Sequence, residues 1–106
     1  MALRDSISVM VVDDMATSRG LIIMALEEMG IKKIDFCKDG AEALRALVAK
    51  PVHLVVSDFN MPGMDGLGLL KSLRENRTTS RIGFILVSGR MTPEILGSGK
   101  ALGMNN

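Results

Sequence analysis

Three aspartates and a serine stand where apolar segments of the chain end, and their types and positions could support chemistry. Asp13 and Asp14 directly follow the first of these segments. Asp58 follows the valine-rich second segment, residues 52–56, and Ser88 follows a third. Apolar runs of this length suit strands buried on both faces of a parallel sheet. All four side chains are therefore expected at the carboxyl ends of buried strands, the edge where open α/β sheets bind ligands.

The acids point to a metal site when they are considered together. An acidic pair after a strand, taken alone, is most often a turn or a helix N-cap. Three carboxylates a few ångströms apart, however, repel one another in a partly dry crevice. No Lys or Arg adjoins them in these motifs, so a bound cation is expected. Oxygen ligands without nearby His or Cys favour a hard ion such as Mg²⁺.

Such a site is suited to phosphoryl transfer. Mg²⁺ that is held by carboxylates and keeps some of its waters can receive a phosphoryl group. An aspartate carboxylate can then act as the nucleophile, forming an aspartyl phosphate. The hydroxyl of Ser88 could contact the phosphoryl oxygens.

The elements that must position these residues alternate along the chain. A strand followed by a helix occurs four times, which predicts an α/β fold with a doubly wound parallel sheet and strand 1 beside strand 3. Three glycines, Gly97, Gly99 and Gly103, are expected to interrupt the fourth helix. The predicted strands are 7–14, 32–38, 52–56 leading into Asp58, and 82–87, and the predicted helices are 17–29, 41–50, 67–76 and one that begins at Pro93. The residues expected to face inward are Ile22, Ala25, Leu26 and Met29, then Ala43, Leu44, Leu47 and Val48, then Leu70 and Leu73.

Composition narrows the class of protein. The chain has 106 residues, which suffices for one domain. Its formal net charge of +1 and its lack of Trp and Tyr argue against nucleic acid as a partner. A single Cys fits a reducing compartment, and no apolar run approaches the roughly 20 residues that span a bilayer. We expect a cytoplasmic protein with no membrane contact.

Three motifs together resemble the receiver domain of two-component response regulators. They are Val-Asp-Asp at 12–14, Ser-Asp-Phe-Asn-Met-Pro-Gly-Met-Asp-Gly at 57–66, and Val-Ser-Gly at 87–89. The resemblance extends over the whole chain in order and spacing. It is nearest to the single-domain chemotaxis regulators of the CheY type. It implies a flavodoxin-like sheet with strand order 2-1-3-4.

The resemblance also implies roles for individual residues. Asp58 would accept a phosphoryl group from a phosphohistidine on a sensor histidine kinase, and a chemotaxis kinase fits best. Asp14 would bind Mg²⁺ directly, Asp13 would assist through water, and Asn60 would contribute its backbone carbonyl. Ser88 would contact the phosphoryl group. The implied output partner is a target such as a flagellar motor switch protein.

One departure from the family pattern concerns the end of the chain. Receiver domains carry a fifth strand with a lysine, and then a fifth helix; by spacing, that lysine would fall just beyond Asn106. We therefore expect residues 1–106 to form a receiver domain that is incomplete at its C-terminus. Strand 4 would then have an exposed apolar edge, through which two copies could pair as a homodimer.

Two other functions remain open from the sequence. One is a receiver-like interaction module that takes phosphate poorly and self-associates. The other is a Mg²⁺-dependent phosphohydrolase with an aspartate nucleophile. Such enzymes use a second acid two residues after the nucleophile as a general acid. Here Asn60 occupies that position, which argues against turnover.

Overall fold

The computed structural model describes residues 3–106, with side chains described from Asp5 onward. A short helix at the N-terminus was not expected from the sequence; the other elements match the predicted ones to within two residues at most boundaries. The two acids of the first motif follow their strand instead of lying within it. The elements are α1 (Leu3–Ser6), β1 (Ser8–Val12), α2 (Ala16–Glu28), β2 (Lys33–Cys37), α3 (Gly40–Ala49), β3 (Leu54–Asp58), α4 (Gly66–Glu75), β4 (Gly83–Val87) and α5 (Pro93–Ala101).

The four strands form one parallel sheet in the order β2-β1-β3-β4, as predicted. In the register of β1 and β3, Val12 lies beside Ser57. In the register of β3 and β4, Asp58 lies beside Val87. The residues that follow β1, β3 and β4 therefore emerge at one edge of the sheet.

Local signals fix the ends of the helices. The side chains of Asp39, Asp65 and Thr92 each accept a hydrogen bond from the backbone N–H three residues later, capping α3, α4 and α5. Gly30 follows α2 with φ of 89°, the left-handed conformation that ends many helices. The expected interruption of α5 is wrong at two glycines, since the helix runs unbroken to Ala101.

The core has two parts, one on each face of the sheet. The larger part lies under α3, α4 and α5 and includes Leu47, Leu70 and Phe84, all at 0% exposure. The smaller part lies under α2 and includes Val9, Val11, Leu26 and Val56. Together they bury the central strands β1 and β3 on both faces, as their apolar sequences predict.

The predicted inward faces are partly wrong on two helices. On α2, Ala25 is exposed and Met29 is 63% exposed. Met29 is the C-cap residue, beyond the last regular turn. The buried stripe of α2 runs through Ile22, Ile23 and Leu26, and so it is turned away from Ala25. On α3, Val48 is 38% exposed.

The outer edge of β4 is covered, which contradicts the expectation that it is open. Asn105 donates its backbone N–H to the carbonyl of Phe84 (2.6 Å) and accepts from the N–H of Phe84 through Oδ1 (2.8 Å). Asn106 accepts from the N–H of Leu86 through Oδ1 (2.8 Å) and donates from Nδ2 to the carbonyl of Leu86 (2.7 Å). The expected homodimer relied on an exposed edge of β4, and in this structure Asn105 and Asn106 cover that edge.

Two further contacts hold the C-terminal segment in place. Met104 is 8% exposed and belongs to the larger core. The guanidinium of Arg74 donates to the carbonyls of Ser80, Ile82 and Gly103 at 2.7–3.1 Å. This arginine therefore joins α4 to the segment that precedes β4 and to the segment that follows α5.

Within residues 3–106, no helix combines the length and apolar character needed to cross a membrane.

Candidate functional site

The three predicted aspartates meet at the carboxyl edge of the sheet. Asp13 and Asp14 follow β1, and Asp58 is the last residue of β3. Carboxylate oxygens of the three residues all lie within 4.8 Å of one another. The adjacency of β1 and β3 accounts for this, because it places two strand ends side by side. The three acids that the sequence predicted to be neighbours therefore lie together.

Asp13 is the most deeply placed of the three acids, with 2% of its surface exposed. Its Oδ1 accepts from the backbone N–H of Met15 (2.9 Å), and its Oδ2 accepts from the hydroxyl of Ser18 (2.5 Å). Sequence reasoning missed Ser18. The available signal was a hydroxyl residue in the first turn of the helix that follows the acidic pair.

Asp58 is half-buried, and its pKa lies above the ordinary value for an aspartate. Burial contributes most to this rise, followed by repulsion from Asp13 and then from Asp14. The backbone N–H groups of Phe59 and Asn60 act in the opposite direction, because they stabilise the carboxylate. The negative charges of Asp13 and Asp14 thus oppose ionisation of Asp58.

Among residues 5–106, whose side chains the structure describes, no basic side chain forms an ion pair with this cluster. The ion pair found there joins Lys32 to Asp5 at 3.4 Å and involves none of the three acids. Arg19 lies near, but it donates to the backbone carbonyl of Asp13 (3.0 Å) and stacks over the ring of Phe36. A crowded set of hard oxygen donors without a basic partner suits a divalent cation such as Mg²⁺.

The loop after Asp58 is held closely against the sheet and α4. Phe59 donates its N–H to the carbonyl of Val87, and its own carbonyl accepts from the N–H of Gly66, both at 2.9 Å. Met61 is 8% exposed and packs in the larger core. Asn60 is exposed in this loop and follows Asp58 by two residues. The loop therefore fixes the approach to the carboxylate of Asp58.

Ser88 lies one residue beyond β4, whose last residue is paired with Asp58. Its hydroxyl donates to the carbonyl of Arg90 (2.9 Å) and accepts from the N–H of Arg90 (3.2 Å). The hydroxyl is thus engaged in its own turn. The register places Ser88 at the same edge of the sheet as the three acids.

Comparison with known proteins identifies the family. The family model described as response regulator receiver domain matches residues 9–106. The chain is a response regulator receiver domain. It is 39% identical over 106 residues to a probable chemotaxis protein CheY of Rhizobium etli, an alignment that covers all of this chain and 82% of that protein.

Solved structures of other receivers share the fold of this one. The chemotaxis protein CheY4 of Vibrio cholerae gives a TM-score of 0.84 with 27% identity, over 93% of this chain and 82% of that one. The receiver domain of the histidine kinase CKI1 from Arabidopsis thaliana, solved in complex with Mg²⁺ and BeF₃⁻, gives 0.86 with 28% identity, over 94% and 78%. This receiver is thus of the CheY type in both sequence and fold.

Proposed function

We propose that this chain is a phospho-accepting switch of a two-component phosphorelay, with Asp58 as the acceptor. One observation carries the proposal: at the carboxyl edge of the sheet of a receiver domain, one oxygen from each of three carboxylates lies within 4.8 Å of the others, and no ion pair to them occurs within residues 5–106. The phosphoryl donor would be a sensor histidine kinase, and a chemotaxis kinase is favoured by the similarity to chemotaxis proteins. A flagellar motor switch protein is the proposed target, and the cytoplasm is the proposed location.

Mg²⁺ would be held by the carboxylates of Asp13, Asp14 and Asp58 and by the backbone carbonyl of Asn60. The chemistry of the donors supports this assignment, since all are hard oxygen atoms. When bound, the ion would supply positive charge to neutralise the phosphoryl oxygens. Before the ion binds, the negative charges of the three acids would repel an anionic phosphoryl group.

The transfer step would use a carboxylate oxygen of Asp58 as the nucleophile. This oxygen attacks the phosphorus of a phosphohistidine while the P–N bond breaks and its electron pair returns to the imidazole nitrogen. The product is an aspartyl phosphate. The N–H groups of Phe59 and Asn60 favour the ionised form of Asp58 that the attack requires. Ser88 would exchange its bonds to Arg90 for a contact with the phosphoryl group.

Intact mass after incubation with Mg²⁺ and acetyl phosphate tests this function. We expect one phosphoryl adduct on the wild-type chain, none on Asp58→Asn, and none when EDTA replaces Mg²⁺. Asp65→Asn is the matched control, because Asp65 caps α4 and lies outside the cluster. A folded wild-type chain that binds Mg²⁺ but takes no phosphate would favour an interaction module instead.

A further inference from the structure

Every polar group of Asp13 has a partner, which sets this residue apart from the other two acids. Its backbone N–H donates to the carbonyl of Cys37 (3.2 Å), and its carbonyl accepts from Arg19 (3.0 Å). Its two carboxylate oxygens accept from the N–H of Met15 and from the hydroxyl of Ser18. Asp13 is thus fixed at both its backbone and its side chain.

The other two carboxylates are held differently. Asp14 is exposed, and within residues 5–106, whose side chains the structure describes, its carboxylate accepts no hydrogen bond. Asp58 has the N–H groups of Phe59 and Asn60 beside its carboxylate and is half-buried. An arriving ion therefore meets two carboxylates that are held by hydrogen bonds, of which Asp13 is the more buried, and one, Asp14, that can adjust.

We propose that Ser18 is a positioning residue for the ion site: its hydroxyl fixes the carboxylate of Asp13 in the orientation that receives the ion. This inference rests on the function proposed above. Ser18 is the third residue of α2 and is half-buried. Partners that orient a ligand commonly change metal affinity 10–100-fold when removed, although they do not touch the metal.

The start of α2 explains why this role falls to Ser18. The N-cap residue, Met15, has no side chain that can cap the helix. Asp13 accepts from the N–H of Met15 and from Ser18, so the acid and the first turn hold each other. Arg19 donates to the backbone carbonyl of Asp13 and stacks over the ring of Phe36, so it would not replace the hydroxyl of Ser18 as a donor to the carboxylate. Without the hydroxyl, a buried carboxylate oxygen loses its donor.

Titration of the EDTA-treated chain with Mn²⁺, followed by electron paramagnetic resonance, and with Mg²⁺, followed by calorimetry, tests the inference. We expect Ser18→Ala to weaken both affinities by roughly 10-fold. Thr17→Ala is the control in the same turn, since Thr17 is exposed, and its affinities should stay at the wild-type values. Circular dichroism in EDTA would show that each variant is folded.

A matched pair of variants separates positioning from packing. Ser18→Thr and Ser18→Val introduce side chains of the same shape, but only threonine keeps a hydroxyl. We expect threonine to bind the ion within about threefold of wild type and valine to bind as weakly as alanine. Equal or tighter binding by the alanine and valine variants would overturn the role of Ser18 and leave the proposed function standing. A wild-type chain that binds neither ion would overturn the proposed site as well.

Discussion

Asp58 is subject to opposing influences that the structure identifies separately. Burial and the charges of Asp13 and Asp14 raise its pKa, while two backbone N–H groups of the following loop lower it, and the net change is a rise. Ionisation of Asp58 is therefore unfavourable when no cation is bound. A cation at the site would offset this repulsion, and the same repulsion lowers the free energy of unfolding.

Replacing Asp58 should stabilise the cation-free chain in a pH-dependent way. Because the folded-state pKa of Asp58 is raised, ionisation of this residue opposes folding as the pH rises through that pKa. In EDTA at pH 7, Asp58→Asn should therefore raise the free energy of unfolding, because asparagine carries no charge for Asp13 and Asp14 to repel. Below about pH 4, the ordinary value for an aspartate, the difference should vanish.

Urea unfolding of both proteins between pH 3 and pH 8 checks this prediction. Asp39→Asn is the control, because Asp39 lies outside the cluster and asparagine keeps the side-chain oxygen that caps α3, so its stability should stay close to that of wild type. A variant at residue 58 that is less stable than wild type at pH 7 would contradict the electrostatic interpretation.

For individual residues, the sequence indicates which acids lie together, but not which hydrogen bonds orient each of them. Asp13, Asp14 and Asp58 could be grouped because strand ends share an edge in any parallel sheet. The bond between Ser18 and Asp13 depends on the direction in which the chain enters α2. No periodic pattern records that direction.

Among the elements, the junction between β3 and α4 controls the position of Asp58. A Cβ atom added to Gly66 would lie 2.5 Å from the carbonyl oxygen of Asp58 and 2.6 Å from Cδ1 of Leu86. Such distances are far inside van der Waals contact. The first residue of α4 must therefore be glycine for the helix to pack this closely against the end of β3.

Gly66→Ala should destabilise the chain by about 2 kcal/mol, because the added methyl group overpacks the junction. It should also weaken phosphorylation, since the displaced backbone belongs to Asp58. Gly97→Ala is the control: a Cβ at this position of α5 would meet nothing within 4 Å, and stability should rise by up to about 1 kcal/mol. Chemical denaturation measures both changes; a neutral effect at Gly66 would contradict the packing.

The covered edge of β4 leads to a prediction about self-association. The side-chain amide of Asn105 accepts from the N–H of Phe84, and that of Asn106 pairs with both the N–H and the carbonyl of Leu86. The carbonyl of Phe84 accepts from the backbone N–H of Asn105. The double variant Asn105→Leu with Asn106→Leu keeps the size of these side chains but loses their hydrogen bonds. It should expose the strand edge, reduce stability by about 1–3 kcal/mol and promote dimers.

Analytical ultracentrifugation over a range of concentrations measures this effect. Lys100→Ala is the control, because Lys100 is exposed in the last turn of α5. A strictly monomeric double variant with unchanged stability would show that the asparagine amides do not protect the edge.

The elements also show where sequence patterns are insufficient. Apolar runs locate the four strands, and helical spacing of apolar residues, together with Pro93, locates the four longer helices. They do not reveal that asparagine side chains can pair with a strand edge, because such pairing has no period. Apolar residues occur on several sides of α2, so helical spacing predicts Ala25 and Met29 on its buried face. The structure places Ile23 there instead.

At the scale of the whole molecule, the parallel sheet converts separate sequence motifs into one site. Residues 12–14 and 57–66 are far apart in the chain but adjacent at the carboxyl edge of β1 and β3. The two cores bury these strands on both faces and hold their ends in register. The acidic cluster thus depends on the pairing of β1 with β3 and on the packing that buries both strands.

The most direct test of the central claim is the position of the phosphoryl group. After reaction with acetyl phosphate and Mg²⁺, borohydride reduces an aspartyl phosphate to homoserine, which peptide mass mapping locates. We predict homoserine at residue 58 alone, and none when EDTA replaces Mg²⁺. Phosphate found on another residue, or at residue 58 without a divalent cation, would contradict the assignment of the three aspartates to one metal-dependent acceptor site.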